Sequence, residues 1–291
     1  MVTLRPDGTE LFALGAPDEP MFPRSSAKPL QAVGMLRAGL AVDQAHLALV
    51  TASHSGEPGH VAGVRGMLAT AGLTEGDLRC PPSLPLSEQA AADVLRAGGG
   101  PLPVYMNCSG KHAGMLRTCV EAGWAVDGYP EPDHPLQVAV AAVVAELTDG
   151  PIAATAVDGC GAPLFAVTLR GLARAFARLV TAEPATPERL VADAMRAHPD
   201  LVGGTGREAT DLLAGVPGLL TKDGAEGVFA AALPDGSAVA LKIDDGGNRA
   251  RTPVLVRELR RLGATGEVLD RLAEVPVLGG GRQVGAVRVA Y

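Results

Sequence analysis

Apolar residues recur at helical spacing along most of the chain, and clusters of glycine, proline and polar residues mark where each run stops. The spacing predicts helices over Lys28–Ala38, His60–Ala71, Ser87–Ala97, Lys111–Ala122 and Pro135–Leu147. The same period returns over Phe165–Val180, Pro187–Ala197 and Pro253–Leu262. Strand-like runs cover Ile152–Val157, Gly227–Leu233, Ala238–Ile243 and Val284–Ala290. The first 20 residues read as two short strands around a turn at Pro6-Asp7-Gly8. Pro234-Asp235-Gly236 joins two apolar runs as a hairpin. Helices grouped in the middle and antiparallel strands near the ends predict an α/β sandwich rather than a doubly wound parallel sheet. No linker, repeat or disordered stretch divides the chain, so residues 1–291 read as a single domain.

Composition narrows the possible functions. A net charge of −7, a pI near 5.4 and no Lys/Arg-rich run argue against binding a phosphate backbone. Aromatic residues make up only 3%, too few for base-stacking platforms. The N-terminus lacks the apolar core of a signal peptide. The most apolar helical run, Leu136 to Leu147, carries Gln137 and Glu146, so no membrane span is expected. The expectation is a soluble, cytoplasmic protein. Cys80, Cys108, Cys119 and Cys160 are too dispersed for a disulfide framework, and read as thiols, metal ligands or core residues.

Lysine is scarce: of 25 basic residues only Lys28, Lys111, Lys222 and Lys242 are lysines. Arginine keeps its proton in a protein, whereas a crowded or buried lysine amine can lose it and act as a base or a ligand. Three of the four lie in compact polar motifs. Ser25-Ser26-Ala27-Lys28 places a serine and a lysine three residues apart at a predicted helix start, on one helical face. An amine there can activate Ser25 as a nucleophile, and the helix N-terminus can stabilise an oxyanion. The simpler alternative is Ser25 as a helix cap with a solvated lysine.

Thr51 to Pro58, TASHSGEP, packs polar groups densely behind an apolar stretch and reads as a site loop. Cys108-Ser109-Gly110-Lys111-His112 and Asp158-Gly159-Cys160-Gly161 each set a cysteine on a glycine-containing turn. Two thiolates with Lys111 or His112 as nitrogen donor would suit zinc, against the alternative of two small buried thiols. Lys242 ends an apolar strand before Asp244-Asp245-Gly246, like the lysine strand of acyl-serine enzymes, or else it pairs with Asp244 at an edge.

RSSAKPLQ, ASHSGE, NCSGKHAGM, DGCGAP, GGTGRE and KIDDGGNRAR, in this order, resemble the asparaginase II family of Rhizobium etli-type L-asparaginases. The resemblance runs from about Asp7 to the C-terminus. It implies a fold like that of serine β-lactamases and glutaminases, a homodimer, and hydrolysis of L-asparagine to L-aspartate and ammonia. It also implies Ser-Lys pairs Ser25 with Lys28 and Ser53 with Lys242, and one zinc per chain on Cys108, Lys111 and Cys160, with Asp158 beside it. Members of that family usually begin with one further strand, so the resemblance also implies a chain short at its N-terminus.

The expectation is therefore an amidohydrolase with Ser25 as nucleophile, Lys28 as its base, and Ser53 with Lys242 relaying the proton. A zwitterionic substrate needs a cation for its carboxylate, from Arg24 or Arg207, and an anion for its ammonium, from Glu57 or Asp245. A glutaminase-like serine amidase, or a weakly active zinc- or asparagine-binding sensor, would keep the same motifs. A structural protein with buried polar clusters is the plainest alternative.

Overall fold

The structure, a computed structural model, describes residues 1–291. Strands β1 (Val2–Leu4), β2 (Glu10–Ala13) and β3 (Pro20–Met21) open the chain. Helices α1 (Lys28–Arg37), α2 (Gln44–Val50), α3 (Pro58–Thr70), α4 (Glu88–Arg96), α5 (Ser109–Glu121) and α6 (Pro135–Thr148) follow. The short strands β4 (Thr155–Val157), β5 (Pro163–Phe165) and β6 (Val167–Thr168) lead into α7 (Leu169–Thr181), α8 (Pro187–Ala197), α9 (Pro199–Val202) and α10 (Glu208–Gly215). Then come β7 (Leu220–Asp223), β8 (Val228–Ala232), β9 (Ala238–Lys242), α11 (Arg251–Arg261), α12 (Glu267–Leu272), β10 (Val275–Gly279) and β11 (Arg282–Val287).

Five strands form the main sheet in the order β2-β1-β9-β8-β7, every neighbour antiparallel. Successive side chains of a strand point to opposite faces. Val228, Ala230 and Ala232 with Ala238 and Ala240 face the larger core, which contains Leu172 and Phe176 of α7. Phe229, Ala231, Val239 and Leu241 face a second core with Leu212 of α10 and Leu255 and Leu259 of α11. Burial on both faces explains why β8 and β9 read as continuous apolar runs and not as alternating ones. The result is an α/β architecture with an antiparallel sheet flanked by helices, as the chain pattern predicts. No helix is long and apolar enough to cross a membrane.

Two departures from the pattern affect the site. The helix expected from Phe165 begins only at Leu169, where the Thr168 hydroxyl caps it by accepting from the Gly171 N–H (2.9 Å). The residues before it form β5 and β6. Strand β7, Leu-Thr-Lys-Asp, was not expected at all, because four residues with two charges show no apolar period. Short α2, α9, α10 and α12 also lie outside the expected helices.

The end of α2 is pressed against the first turns of α5. A Cβ on Gly110 would stand 2.3 Å from the Leu49 carbonyl oxygen, and one on Gly114 would stand 2.6 Å from Val50 Cγ2. This close approach holds the Thr51–Ser55 loop next to the helix carrying Lys111. Gly110→Ala should therefore destabilise the fold by about 1–3 kcal/mol through overpacking. Gly150→Ala, where the Cβ position is open, serves as the control in the same urea titration.

Candidate active site

Ser53 leaves α2 two residues beyond its C-cap, Thr51, and is fastened by its backbone N–H to the Val202 carbonyl of α9 (3.0 Å). Its hydroxyl meets two lysines. Lys28 Nζ, from the first residue of α1, lies 3.1 Å from Ser53 Oγ and also bonds the Ala52 carbonyl. Lys222 Nζ, from β7, lies 3.0 Å from the same oxygen, 2.8 Å from the Asp223 carbonyl and 2.6 Å from Asp223 Oδ1. Both lysines are fully buried.

Burial disfavours the charged amine and lowers Lys222 to about 8, with Asp223 opposing the shift and Lys28 and Arg207 adding to it. Burial also pushes the Asp223 carboxyl up, but Lys222, Arg251 and Arg207 outweigh it and hold the group well below the carboxylate range. Asp223 Oδ2 receives Arg207 Nη2 at 3.3 Å and Arg251 Nη2 at 3.5 Å, and Arg251 also reaches Glu208 Oε2 at 3.2 Å.

The expected partner of Ser53, Lys242, is not there. It projects from the same sheet face as Lys222, but from β9, two strands away. At about 4.8 Å per strand the two lysines stand on strands roughly 10 Å apart. Lys242 Nζ bonds the Glu226 carbonyl (2.9 Å) instead. It also lines a cavity of about 490 Å³ with Met1, Leu14, Leu241 and Tyr291.

Ser25 lies half-buried in a 3-10 turn, Arg24–Ala27, directly before α1. Its carbonyl accepts the Lys28 N–H, but its hydroxyl makes no hydrogen bond to Lys28. Arg24 sits at φ 53, a left-handed conformation that costs a non-glycine residue about 1–3 kcal/mol and clusters at functional sites. Its Nε bonds Asp158 Oδ1 and its Nη1 bonds Glu226 Oε1, both at 2.8 Å. Two carboxylates thus already answer its charge.

Arg207 stands beside Asp223 and is partly open to solvent at 29% of its side chain. Glu57 accepts the Thr205 N–H (3.0 Å) and hydroxyl (3.2 Å), steadying the loop that carries Arg207. Asp245 is exposed and accepts the Gly247 N–H (2.7 Å), closing its own turn; it bonds nothing at Ser53.

Of the second expected cluster, Lys111 and Cys160 meet. Lys111 Nζ lies 3.1 Å from Cys160 Sγ, which is 3.8 Å from Asp158 Oδ2. The Cys108 thiol donates to Asn107 Oδ1 (3.3 Å); the interaction of the two cysteines raises the Cys108 thiol and lowers that of Cys160. Burial lowers Lys111, but the two sulfurs outweigh it and hold the amine charged. His112 Nδ1 meets Tyr129 Oη at 2.7 Å, while its Nε2 is buried against Cys160 without a hydrogen-bond partner. No three His, Cys, Asp or Glu side chains converge, so a metal here requires the Lys111 amine. Two sulfurs and the Lys111 amine, once a metal displaced its proton, would form a soft donor set of the kind zinc takes.

His54 joins the two clusters, and the residue pattern did not single it out. Its Nδ1 accepts the Gly56 N–H (3.1 Å), which leaves Nε2–H to donate to Ser109 Oγ (2.9 Å) at the start of α5. The ring stacks on His60, with centroids 5.0 Å apart, and burial keeps it neutral.

Asp223→Ala would leave Lys222, Arg207 and Arg251 around a missing anion, an expected loss of about 3–5 kcal/mol. A depressed carboxyl contributes stability above its unfolded value of about 3.9 and loses it as pH falls toward the folded value. The gap between wild type and variant in chemical denaturation should therefore be full at pH 7 and shrink below pH 4.

No curated protein matches the chain. The family model for L-asparaginase II matches residues 1–289, nearly the whole length and both clusters. The chain therefore belongs to the L-asparaginase II family.

Proposed function

We propose that the chain hydrolyses L-asparagine to L-aspartate and ammonia through an acyl-serine intermediate. The observation that carries this reading is the Ser53 hydroxyl held between two buried lysines in a member of this family. A serine between two amines has no structural need for both. One amine can take a proton while the other supplies one, as amide cleavage requires.

In this reading Ser25 attacks the side-chain amide carbon, since its hydroxyl is uncommitted and half-exposed on a strained turn. Lys28, one turn further on, takes the Ser25 proton. Backbone N–H groups of the 3-10 turn hold the oxyanion. The C–N bond breaks as the nitrogen takes up a proton and leaves as ammonia, and water then cleaves the ester. Ser53 and Lys222 complete the proton path in place of the expected Ser53 and Lys242. Arg207 meets the substrate carboxylate, with Glu57 the nearest acidic group on that loop for its ammonium.

Cys108, Lys111 and Cys160 would hold zinc. Bound zinc supplies Lewis acidity and a fixed positive charge. These residues on their own already tie α5 to the Asp158–Cys160 turn, and Asp158 ties that turn to Arg24. A β-lactamase-like sandwich, a single catalytic domain and a cytoplasmic homodimer belong to the same proposal.

Purified protein should release ammonia from L-asparagine faster than from L-glutamine. Ser25→Ala should lower turnover by about 10³-fold or more, and mass spectrometry of a trapped adduct should place the acyl group on Ser25. An adduct on Ser53 would reassign the nucleophile, and equal release from both amides would reassign the substrate. Lys222→Met should abolish turnover, whereas Lys242→Met should keep it within about threefold, since an exposed ion pair contributes little. Elemental analysis should find one zinc per chain, lost in Cys160→Ser.

A further inference from the structure

The two lysines on Ser53 are not equivalent, because only one of them has a carboxylate. Lys222 Nζ has three acceptors within 3.0 Å: the Asp223 carbonyl, Asp223 Oδ1 and Ser53 Oγ. That matches the three protons of an ammonium. Lys28 Nζ has two neighbours, the Ala52 carbonyl and Ser53 Oγ. Were Lys28 the ammonium, one buried N–H of a charged group would lack an acceptor, and the charge would sit away from the carboxylate. With the charge on Lys222, every proton of that ammonium is bonded. Ser53 Oγ then accepts from Lys222 and passes its own proton toward the Lys28 lone pair. Only a neutral N–H is left over, which is the cheaper deficit.

We propose that Asp223 is a positioning residue that keeps the proton on Lys222, where all three N–H groups have acceptors, so that Ser53 Oγ accepts from Lys222 and its own proton is turned toward Lys28. The catalytic part of this inference rests on the amidohydrolase reading; the proton assignment itself does not. The titratable and charged groups facing Lys222 are Asp223, Lys28 of α1 and Arg207 ahead of α10. Those facing Asp223 are Lys222, Arg207 and Arg251 of α11, and Arg251 also meets Glu208 of α10. His54, beside Ser53, is kept neutral by burial. Arg207 and Arg251 occupy Oδ2, so Oδ1 is reserved for Lys222.

Four lysines in the chain make the assignment directly readable. Lysine labelled with carbon-13 at Cε gives four NMR signals, assigned by single Lys→Arg variants and titrated against pH. Lys222 should be an ammonium at neutral pH. Asp223→Asn should move the Lys222 midpoint down by about one to three pH units, the usual effect of losing an adjacent opposite charge. Arg251→Gln, which strips a competing cation from Asp223, should move it up, and it carries the test if the asparagine variant does not fold. A Lys222 already neutral at pH 7, or a Lys222 midpoint unmoved in a folded variant, overturns the proposal. In the active enzyme, the basic limb of the kcat/KM profile should follow the Lys222 midpoint in both variants. Titrations that behave as stated in a protein releasing no ammonia would sink the amidohydrolase reading alone.

Discussion

Two amines brought to one hydroxyl inside a dry core repel each other, and each has also given up its water. Such a pair persists only if an anion answers it or one amine gives up its charge. Asp223 is that anion, and much of the surrounding architecture supports it. Because side chains alternate along β7, Leu220 and Lys222 enter the larger core while Asp223 turns toward α11. Arg251 from α11 and Arg207 from the loop before α10 then keep the carboxylate ionised. Glu208 closes the chain of charges on Arg251. Remove the anion and Lys222, Arg207 and Arg251 lose the one carboxylate they share.

A second set of contacts ties the lysine pair to the cysteine cluster. Gly110 and Gly114 let α5 lie against the end of α2. His54 then spans the gap to Ser109, two residues ahead of Lys111. On the other side Asp158 bonds Arg24 next to Ser25 and approaches Cys160. The two clusters thus share walls, and a shift of α5 would be felt at Ser53 through a neutral imidazole with both nitrogens committed. A histidine that changed charge would break one of those bonds, which is why its burial matters.

Much of this was legible in the residues, and the failures are specific. Long elements with a clear period, such as Pro187–Ala197 and Pro135–Thr148, stood where apolar spacing put them. The meeting of Lys111 with Cys160 also followed from compact motifs, whereas the joining of Ser53 to Lys28 did not, since the motifs pair Lys28 with Ser25 and Ser53 with Lys242. Lys222 did not. Its strand is too short to show a period, and its neighbours form no compact polar motif, which separates it from the other three lysines. Lysine scarcity alone pointed to it, but Lys242 ended a longer and more convincing strand on the same face. Which strand lies beside Ser53 depends on sheet order, a long-range property that no local window contains. His54 escaped for a similar reason: its meaning comes from Ser109, 55 residues away.

Strand β7 is the edge of the sheet, hydrogen-bonded along one side only, to β8 through four residue pairs from Leu220↔Ala232 to Asp223↔Phe229. Lys222 and Asp223 are consecutive, so a slip of one residue would exchange the faces they point to, turning the carboxylate to the Ser53 side and the amine to the side of the arginines. An inserted or deleted residue between Val216 and Asp223 would do the same while leaving every side chain of the site present in the sequence. The chemistry of this protein is therefore written partly in a count of residues, and a length change in that short segment is a more thorough inactivation than most substitutions within the site.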